Sequence, residues 1–527
     1  MIYPNKEHFI ADSKSYNLIP VFKEIRADFE TPVSIFMKVK GNILLESVEQ
    51  GENVGRFSII ALGKQTVIQM NGQQVTITQY HDQEVTSTKD FVSTNPLLNV
   101  REYFNSFTVP NYPGLPPFFG GAIGYLGYET LRYFEDVPVN ENSANGTIPD
   151  GLMVVPEVVL VYDTVKRSVF VITLIIPGLH PGKNYETALH RIDAVCKCLA
   201  EPLSAGENNE KPGNGKPVVT KRMKKEDFLE GVNRCKEYIY SGEIIQVVFS
   251  QQLAIETRVP PFELYRTLRV LNPSPYLFFL DFDNFCLIGS SPEVMVRVQD
   301  GEMLLKPIAG TRKRGKSIAE DSALSQELLA DPKERAEHLM LVDLGRNDLG
   351  RVAKPGSVRV TDFMKVEKYS HVMHIVSTIK AELEDRFDVF DVVRACFPAG
   401  TLSGAPKVRA MEIITELETI KRGPYGGMVF NLGFNGNLDS CITIRTILLK
   451  DNTACIQAGA GIVADSVPEN EYRETLSKAG ALIDTIKKTS IHDNQKFLRG
   501  VQGGGFFKKS PPGRRRQLEV QHDLNNR

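Results

Sequence analysis

Short runs of apolar and β-branched residues, separated by glycine, asparagine and aspartate, dominate the first 200 residues of the chain. Runs of this length between turn-forming residues are typical of strands joined by tight turns, so they predict antiparallel sheet. The predicted strands are VSIFMKV (33–39), RFSIIALG (56–63), TVIQM (66–70), QVTITQY (74–80), VVPEVVLVYD (154–163) and SVFVITLII (168–176). The last run is too short to span a bilayer and ends at a proline, which indicates a buried strand.

Helical periodicity becomes prominent later in the chain. Phe228, Val232, Cys235 and Ile239 recur at helical spacing in the segment 224–242. Further helices are predicted at 186–200, 332–344, 408–418 and 469–487, and strands at 244–256, 276–282, 285–290, 441–450 and 455–463. Strands and helices do not alternate regularly, which disfavours a doubly wound parallel sheet and favours an α+β fold.

Composition divides the chain into four parts. Residues 201–219 are rich in glycine, proline, asparagine and glutamate and contain few apolar residues, so they are predicted to be a linker. The linker separates an N-terminal region (1–200) from a second region (220–488). The last residues, 489–527, are basic, rich in glycine and without periodicity, which predicts a disordered tail.

The overall composition is that of a globular protein, with 42% hydrophobic and 24% charged residues among 527. The net charge of −2 provides no basic face for nucleic acid. The N-terminus has charges throughout and lacks the apolar core of a signal peptide, so we expect a cytoplasmic protein without a membrane partner. The 7 cysteines are dispersed and form neither a disulfide framework nor a C-x-x-C zinc motif.

The stretch GTRKRGKS (310–317) matches the P-loop pattern of nucleotide hydrolases. The interior of this stretch is bulky and cationic, whereas a P-loop needs a permissive glycine-rich interior. Its supposed companion strand around Asp343 is preceded by Asp331, Pro332 and Glu334, which together form a helix-start signature. These features argue against a nucleotide hydrolase.

Two predicted helices each begin with a pair of glutamates three residues apart. Glu334 and Glu337 form one pair, and Glu471 and Glu474 form the other, with Lys478 one turn later. Residues at this spacing lie on one helix face, and their like charges repel mildly. The pairs are suited to a hard cation such as Mg²⁺ that is shared with an anionic substrate. Two solvated helix starts are the alternative, because acidic residues there favour the helix dipole.

Other candidate residues lie between the two pairs. Glycine-rich stretches at 397–407, 421–427 and 457–463 offer backbone amides that can bind carboxylates. Arg445 alternates with apolar neighbours, so it either enters a cavity and grips a carboxylate or forms a cross-strand salt bridge. His374 lies in an apolar setting and is either structural or an acid–base group. Together these features indicate a small substrate with several negative charges.

Many of these stretches, in order along residues 10–488, resemble the chorismate-utilising enzymes, and most closely their anthranilate synthase component I branch. The stretches are QVVFSQ (246–251), IGSSPE (288–293), PIAGTRKRG (307–315), ERAEHLMLVDLGRNDLGRV (334–352), PAGTLSGAPK (398–407), GPYGG (423–427), IRT (444–446) and AGAGIVADSVPENEYRETLSK (458–478). The resemblance implies the fold of that branch, with antiparallel sheets packed as a sandwich and helices at its flanks.

The resemblance also implies a reaction, in which chorismate and ammonia give anthranilate and pyruvate at the first committed step of tryptophan biosynthesis. It implies Mg²⁺ bound by Glu337 and Glu474, with Glu334 and Glu471 nearby. The implied substrate-binding residues are Gly310, Thr311, Tyr425, Arg445, Gly459, Ala460, Gly461 and Lys478. The implied catalytic residues are Glu293 as the acid, His374, Gln246 and Thr401.

Two positions discriminate between the reactions of these enzymes. Ala309 stands where aminodeoxychorismate synthases of one type carry a lysine that attacks the ring, and alanine cannot form that adduct. Gln246 stands where isochorismate and salicylate synthases carry a lysine that activates water. Both residues favour anthranilate. The alternatives are an aminodeoxychorismate synthase of the type that lacks the lysine, and a non-catalytic tryptophan-binding relative.

The resemblance further implies a glutaminase partner and feedback inhibition. None of the 7 cysteines lies in a nucleophile-elbow motif, so we expect a separate glutamine amidotransferase subunit to supply the ammonia. LLES (44–47) and NPSPY (272–276) resemble the two halves of the tryptophan site of this family. The implied inhibitor-binding residues are Ser47, Asn272, Pro275, Tyr276 and Leu277, with leucine where many relatives carry methionine.

Overall fold

The computed structural model describes residues 2–47, 55–81, 83–143, 148–203, 218–368 and 372–491. The helices in these ranges are α1 (Lys6–Asp12), α2 (Pro32–Val39), α3 (Pro96–Asn105), α4 (Pro181–Ala200), α5 (Lys225–Tyr240), α6 (Pro261–Leu271), α7 (Ile318–Ala330), α8 (Pro332–Gly350), α9 (Val389–Cys396), α10 (Lys407–Leu417) and α11 (Pro468–Ile491). Two short 3₁₀ helices cover Tyr128–Tyr133 and Gly400–Leu402.

The strands before the predicted linker are β1 (Ile2–Tyr3), β2 (Ile19–Arg26), β3 (Ile43–Glu46), β4 (Phe57–Leu62), β5 (Thr66–Asn71), β6 (Gln74–His81), β7 (Glu84–Val92), β8 (Gly121–Leu126), β9 (Gly151–Val155), β10 (Val158–Asp163) and β11 (Ser168–Ile175). Those after it are β12 (Val219–Lys221), β13 (Gln246–Glu256), β14 (Tyr276–Asp281), β15 (Cys286–Ser291), β16 (Val294–Gln299), β17 (Glu302–Leu305), β18 (Ile308–Lys313), β19 (Arg359–Lys368), β20 (Val372–Glu382), β21 (Gly404–Ala405), β22 (Met428–Gly433), β23 (Leu438–Ile442), β24 (Thr446–Lys450) and β25 (Thr453–Ile462).

These strands form two large antiparallel sheets. Within the described ranges, the first sheet has 13 strands in the order β1-β2-β11-β10-β4-β3-β14-β15-β24-β25-β13-β12, with β21 paired to β13. The second has 12 strands in the order β18-β20-β17-β16-β23-β22-β8-β9-β5-β6-β7, with β19 paired to β20. The predicted α+β fold with antiparallel sheets is therefore confirmed.

Apolar side chains from both sheets meet in two large core clusters, as the predicted sandwich requires. Tyr125 of β8 in the second sheet is fully buried, and its ring packs against Phe282 and Phe285 beside β14 and β15 of the first sheet, with ring centroids 5.8 and 6.0 Å apart. Burial of such aromatic rings is a large favourable contribution to folding. These contacts thus hold the two sheets face to face.

Each sheet combines a block of strands from before the predicted linker with a block from after it. In the first sheet the blocks join where β3 pairs with β14, and in the second where β8 pairs with β22. The division at 201–219 remains a prediction, because residues 204–217 lie outside the described ranges. The predicted tail also lies almost entirely outside them.

One predicted strand is a helix, and two others, at 154–163 and 441–450, are each broken into two strands that belong to different sheets. The segment 33–39 is helix α2. Thr31 caps this helix, because its side chain accepts a hydrogen bond from the Ser34 amide at 3.1 Å, while the Ser34 hydroxyl accepts one from the Thr31 amide at 2.8 Å. Pro32 occupies the first helical position, where its missing N–H costs nothing. These start signals outweigh the β propensity of the valine and isoleucine that follow.

In the loop that matched the P-loop pattern, backbone amides donate hydrogen bonds to carboxylates of the following helix, α7. Gly310 to Lys313 belong to strand β18, and Asp343 lies inside helix α8, as the helix-start signature predicted. The amide of Gly315 donates to Asp321 at 2.7 Å, and the amide of Lys316 donates to Glu320 at 2.6 Å. Amides that already face carboxylates cannot cradle a phosphate, so the geometry excludes a P-loop.

Candidate active site

The first turns of α8 present the glutamates Glu334 and Glu337 one helical turn apart. Asp331 starts the helix, because its side chain accepts hydrogen bonds from the amides of Lys333 at 3.0 Å and Glu334 at 3.4 Å. The Arg312 guanidinium donates to Glu334 at 3.1 Å. Burial raises the pKa of Glu337, and the neighbouring Glu334 carboxylate raises it further. The predicted pair is therefore a partly buried concentration of negative charge.

The start of α11 presents the second pair, Glu471 and Glu474. Lys478, one turn later, forms an ion pair with Glu474 at 2.7 Å. Burial raises the pKa of Glu471, and the Glu474 carboxylate adds to that rise. Glu474 and Lys478 also act on the pKa of Glu337, the first raising it and the second lowering it. The two helix starts, which are more than 100 residues apart in the chain, thus face one shared space.

These carboxylates do not form a complete cation site. Within the described ranges, no group of three or more histidine, cysteine, aspartate or glutamate side chains is arranged so that it could hold a metal ion. Glu334 is instead paired with Arg312, and Glu474 with Lys478. The four predicted ligands therefore share one place, and two of them, Glu334 and Glu474, have cationic side chains as partners.

A buried acid lies near the same space. Glu293, just before β16, is 9% exposed and accepts a hydrogen bond from the Thr401 hydroxyl at 2.9 Å. Burial raises the pKa of Glu293 to about 7, although the Thr401 hydroxyl and Lys478 both lower it. A cavity of about 50 Å³ adjoins both residues. Glu293 can therefore hold or release a proton near neutral pH, as a general acid must.

Two glycines of β25 make room for side chains from elsewhere. A Cβ atom on Gly459 would lie 2.8 Å from the Tyr425 hydroxyl oxygen, and one on Gly461 would lie 2.7 Å from Nε2 of Gln246. Gln246 begins β13, which pairs with β25, and its Oε1 is buried without a hydrogen-bond partner among the described residues. The structure thus brings together four of the predicted site residues on one strand face.

Two cations complete this side of the site. Lys478 donates from Nζ to the carbonyl oxygen of Gly459 at 3.0 Å, and Arg445 donates to the carbonyl oxygen of Lys478 at 2.7 Å. Burial lowers the pKa of Arg445, whereas Tyr425 and Glu474 raise it, so both lie close to the guanidinium. Among the described residues Arg445 bonds a backbone carbonyl and forms no salt bridge, which favours the cavity interpretation over a cross-strand ion pair.

Gly310, Thr311 and His374 lie together where β18 pairs with β20. The register shifts between Ala309 and Thr311, and Gly310 occupies the left-handed region at φ +69° that this bulge requires. His374 Nδ1 is 3.0 Å from both the Thr311 hydroxyl and the Gly310 carbonyl. The carbonyl only accepts, so Nδ1 carries the hydrogen of that bond. Burial lowers the pKa of His374, and its ring is therefore neutral at neutral pH.

The two halves of the predicted inhibitor site lie side by side. Leu277 of β14 is the strand partner of Glu46 in β3, and Ser47 follows directly. Tyr276 is half-buried, and its hydroxyl accepts a hydrogen bond from Arg297 at 3.0 Å and donates one to Asp439 at 2.9 Å. The predicted inhibitor residues Asn272 and Pro275 lie in the loop between α6 and β14. Residues 48–54 lie outside the described ranges.

Sequence reasoning missed a buried charged network behind Tyr425. Arg422, 3% exposed, forms an ion pair with Glu418 at 2.6 Å, and its guanidinium lies 5.6 Å from the centre of the Tyr425 ring. Glu129, 2% exposed, accepts hydrogen bonds from the loop that contains Arg422. Burial raises the pKa of Glu129 to about 7. The only signal in the sequence was the placement of these charges beside glycine and tyrosine, which resembles an ordinary surface turn.

No helix in the described parts of the chain is both long and apolar enough to cross a membrane. All seven cysteines are free thiols, and five of them are buried, in agreement with the sequence.

Comparison with known proteins agrees with the resemblance. The family described as chorismate binding enzyme matches residues 40–484. A protein of Acetivibrio thermocellus named anthranilate synthase component 1 is 47% identical over 499 residues, which cover 93% of this chain and 99% of that protein.

Solved structures are similar as well. Anthranilate synthase component I from Streptococcus pneumoniae superposes with a TM-score of 0.71 at 36% identity, covering 87% of this chain and 99% of that chain. The menaquinone-specific isochorismate synthase of Escherichia coli superposes with a TM-score of 0.67 at 16% identity, covering 92% and 99%. The second match shows the fold alone, so the fold does not select the reaction.

Proposed function

This chain belongs to the family of chorismate-binding enzymes, and we propose that it is the large subunit of an anthranilate synthase. The reaction converts chorismate and ammonia to anthranilate, pyruvate and water. Relatives named anthranilate synthase component 1 match nearly the whole chain, and such an enzyme acts in tryptophan biosynthesis.

The observation that carries this assignment is the environment of Gln246. Its Oε1 is a buried acceptor without a partner among the described residues, and an unpaired buried acceptor costs free energy. Ammonia bound beside Gly461 would donate an N–H to this oxygen and orient its lone pair toward the substrate ring. Glutamine has no amine with which to activate water, which favours ammonia over water as the nucleophile.

Ala309 supports the same choice. It is buried in β18 opposite Ile375 and provides no amine that could attack the ring. An enzyme that transfers nitrogen through a lysine adduct would need an amine at this position. The geometry therefore favours direct addition of ammonia to carbon 2 of the ring.

Glu293 supplies the proton that this addition needs. As the ammonia nitrogen bonds to carbon 2, both ring double bonds shift, from C1=C2 to C1=C6 and from C5=C6 to C4=C5, and the bond from carbon 4 to its hydroxyl oxygen breaks. The nitrogen, now an ammonium, releases one proton to become the amine. With a pKa of about 7, a substantial fraction of Glu293 is protonated at neutral pH, and that proton leaves with the hydroxyl as water. Thr401 orients the carboxyl through its 2.9 Å hydrogen bond.

The second half-reaction releases pyruvate. A base removes the proton from carbon 2, the bond from carbon 3 to the enolpyruvyl oxygen breaks, and the ring becomes aromatic. The departing enol takes up a proton at its methylene carbon to become pyruvate. We assign His374 an assisting role in these proton transfers, because its ring is neutral and lies beside Thr311 in the same site.

Substrate binding follows from the cations and amides. Arg445 and the Tyr425 hydroxyl would bind the enolpyruvyl carboxylate together with the amides of Gly459, Ala460 and Gly461. Gly310 and Thr311 would contact the ring from β18. Lys478 complements the negative charge of the substrate, and removal of its ion pair with Glu474 would leave it available for that purpose.

Enzymes of this family generally depend on Mg²⁺. The donor set fits the ion in kind, because carboxylate oxygens are the ligands that Mg²⁺ prefers. Four carboxylates on two helix starts, two of them with pKa values raised by burial and like charge, concentrate negative charge that a divalent cation would neutralise. We propose Glu337 and Glu474 as ligands, with Glu334 and Glu471 nearby. When bound, the ion would neutralise the ring carboxylate of chorismate.

We further propose a glutamine amidotransferase subunit as the ammonia source and tryptophan as a feedback inhibitor. The inhibitor would bind where Ser47 and β14 meet, at the junction of the two strand blocks. An inhibitor at this junction would act at a distance from the carboxylate pairs, through the strands that both blocks share. The cytoplasmic location remains a prediction.

One assay tests the reaction. Purified full-length chain is incubated with chorismate, Mg²⁺ and ammonium at mildly alkaline pH, and anthranilate fluorescence and pyruvate are measured together. We expect both products in equal amounts. Aminodeoxychorismate without anthranilate would identify the enzyme as an aminodeoxychorismate synthase, and tryptophan binding without turnover would identify a non-catalytic relative.

A further inference from the structure

The turn that carries Tyr425 is held by a glutamate from the other strand block. Both carboxylate oxygens of Glu129, in the 3₁₀ helix after β8, accept backbone hydrogen bonds from this turn: Oε1 from the Arg422 amide at 2.7 Å and Oε2 from the Gly423 amide at 3.0 Å. Above its pKa of about 7 Glu129 is ionised, and the charge-assisted bonds that it then accepts are roughly twice as strong as neutral ones. Glu129 therefore fixes the first two residues of the turn.

The turn itself leads directly to the Tyr425 hydroxyl. The Tyr425 amide donates to the Arg422 carbonyl at 3.3 Å, which closes a four-residue turn, and Gly423 takes a positive φ of +59° within it. A displacement of the first two residues is thus passed to Tyr425 within three residues. The hydroxyl lies so close to β25 that a Cβ on Gly459 would be only 2.8 Å away. This position leaves little tolerance for movement.

The side chain of Arg422 is held by residues of its own block, the one after the predicted linker. Its guanidinium donates to Glu418 at 2.6 and 2.7 Å, to the Leu402 carbonyl at 2.7 Å and to the Val248 carbonyl at 2.7 Å. The backbone of the turn is thus bound by residues before the predicted linker, and its side chain by residues after it. The turn bridges the two blocks beside the substrate site.

Other contacts hold the same loop in the fold. The Lys421 ammonium bonds Asp150 at 3.3 Å, the Lys421 amide donates to the Asn142 carbonyl at 2.9 Å, and the Tyr128 amide donates to the Gly423 carbonyl at 2.7 Å. The pairing of β8 with β22 adds a row of backbone bonds. These contacts attach the loop without Glu129. The two hydrogen bonds to Glu129 instead define the conformation of the turn.

We propose that Glu129 is a positioning residue for chorismate: it acts through the 422–425 turn to place the Tyr425 hydroxyl against β25. This inference rests on the proposed function, because Tyr425 is assigned to the enolpyruvyl end of that substrate. Glu129 does not touch the reacting atoms. Its replacement is expected to weaken the use of chorismate more than the use of ammonia.

The test is a double-mutant cycle with Glu129→Gln and Tyr425→Phe in the full-length chain. Glutamine keeps the shape of the glutamate side chain but replaces one acceptor oxygen by an NH₂ group. That group is a donor and faces a backbone N–H, so one of the two hydrogen bonds from the turn is lost. We expect kcat/KM for chorismate to fall about 10- to 100-fold in E129Q, as for loss of a charge-assisted bond of about 1.5–3 kcal/mol. The KM for ammonium should change little.

The Tyr425→Phe background provides the decisive comparison. If Glu129 acts through the Tyr425 hydroxyl, E129Q should cost much less in Y425F than in the unmodified chain, because the group that it places is absent. Equal losses in both backgrounds, or no loss in E129Q, would overturn the inference. Inactivity of the unmodified chain with ammonium would instead overturn the proposed function.

Asp163→Asn is the matched control. Asp163 is a buried carboxylate of the same strand block, and it likewise accepts two backbone hydrogen bonds, from Val165 at 2.9 Å and Lys166 at 3.1 Å. Its replacement should lower thermal stability and leave the KM for chorismate unchanged.

If E129Q does not fold, Glu129→Asp and Arg422→Lys test the same path. Aspartate keeps the charge but is one methylene shorter, and lysine cannot reproduce the forked contacts of Arg422. Both should raise the KM for chorismate, with a partial rescue in E129D. An unchanged KM in both folded variants would overturn the inference.

Discussion

The Thr401 hydroxyl donates a hydrogen bond to the buried Glu293 carboxylate at 2.9 Å, and this contact opposes the rise in pKa that burial causes. Thr401 lies in a 3₁₀ turn more than 100 residues after Glu293, so the tertiary fold adjusts the acidity of the proposed general acid. A bond to the charged form stabilises that form and lowers the pKa.

Thr401→Val is therefore expected to raise the pKa of Glu293 above its present value of about 7. The reaction needs the protonated acid, so the alkaline limb of the profile of kcat/KM for chorismate should move to higher pH. The profile is measured by anthranilate fluorescence at a constant concentration of free ammonia. Glu293→Gln should abolish the limb and lower kcat by a factor of about 10²–10⁴, which is the usual contribution of a general acid.

Thr485→Val is the matched control for this experiment. Thr485 is fully buried in α11, and its hydroxyl donates to the Ala481 carbonyl at 2.8 Å instead of to Glu293. T485V should leave the alkaline limb of the kcat/KM profile at the pH found for the unmodified chain. An alkaline limb that does not move in T401V would contradict the assignment of Glu293.

The carboxylate pairs lead to a prediction about Mg²⁺. Glu474→Gln removes one proposed ligand, so the affinity of the chain for the ion should fall; Mn²⁺ binding followed by electron paramagnetic resonance measures this without turnover. Loss of one carboxylate among the oxygen ligands should weaken binding about 10-fold or more, because charged oxygens dominate the affinity of such sites. Anthranilate formation should need correspondingly more Mg²⁺.

Glu469→Gln serves as the comparison for that loss. Glu469 lies in the first turn of the same helix but is paired with Lys225 at 2.9 Å on an exposed surface. An exposed pair contributes little, so E469Q should bind the ion as the unmodified chain does. Equal affinities in E469Q and E474Q would remove Glu474 from the proposed ligand set.

Much of the fold was predictable because local signals determine it. The Asp331 and Pro332 start of α8 and the apolar run of β11 are encoded within a few residues, and both predictions are confirmed. The error at 33–39 arose because valine and isoleucine favour strands, while the capping threonine and proline that start α2 were overlooked. The pairings of β3 with β14 and β8 with β22 join segments over 200 residues apart, and no local pattern encodes such a register.

The candidate site likewise has features that the local sequence predicts and features that only the tertiary fold creates. Helical spacing alone paired Glu334 with Glu337 and Glu471 with Glu474, but only the tertiary fold brings the two pairs together. Glu129 and Arg422 escaped notice because a charged residue in a turn is ordinarily solvated. Their burial depends on the contact between the two strand blocks, and the sequence of either block alone does not predict that contact.

The junction of β3 and β14 predicts a separable effect on inhibition. Leu277→Met keeps roughly the same volume at a position that is 1% exposed, so the cost in stability should stay below about 1.5 kcal/mol. Because Leu277 belongs to the proposed tryptophan site and not to the carboxylate site, kcat and the KM for chorismate should stay unchanged while the inhibition constant for tryptophan changes. A change in kcat with no change in the inhibition constant would contradict the assignment of Leu277 to the tryptophan site.

The glycines of β25 allow a test of how closely the site is packed. Gly459→Ala introduces a Cβ 2.8 Å from the Tyr425 hydroxyl oxygen, closer than such atoms can lie, so the hydroxyl must move and the KM for chorismate should rise. In a Tyr425→Phe background the obstructing oxygen is gone, and the added penalty of G459A should shrink. Gly480→Ala on α11 meets nothing within 4 Å and should instead stabilise the helix by about 0.5–1 kcal/mol. If G459A left the KM for chorismate unchanged, the Tyr425 hydroxyl would not be a substrate contact, and the enolpyruvyl carboxylate would have to be bound by Arg445 and the β25 amides alone.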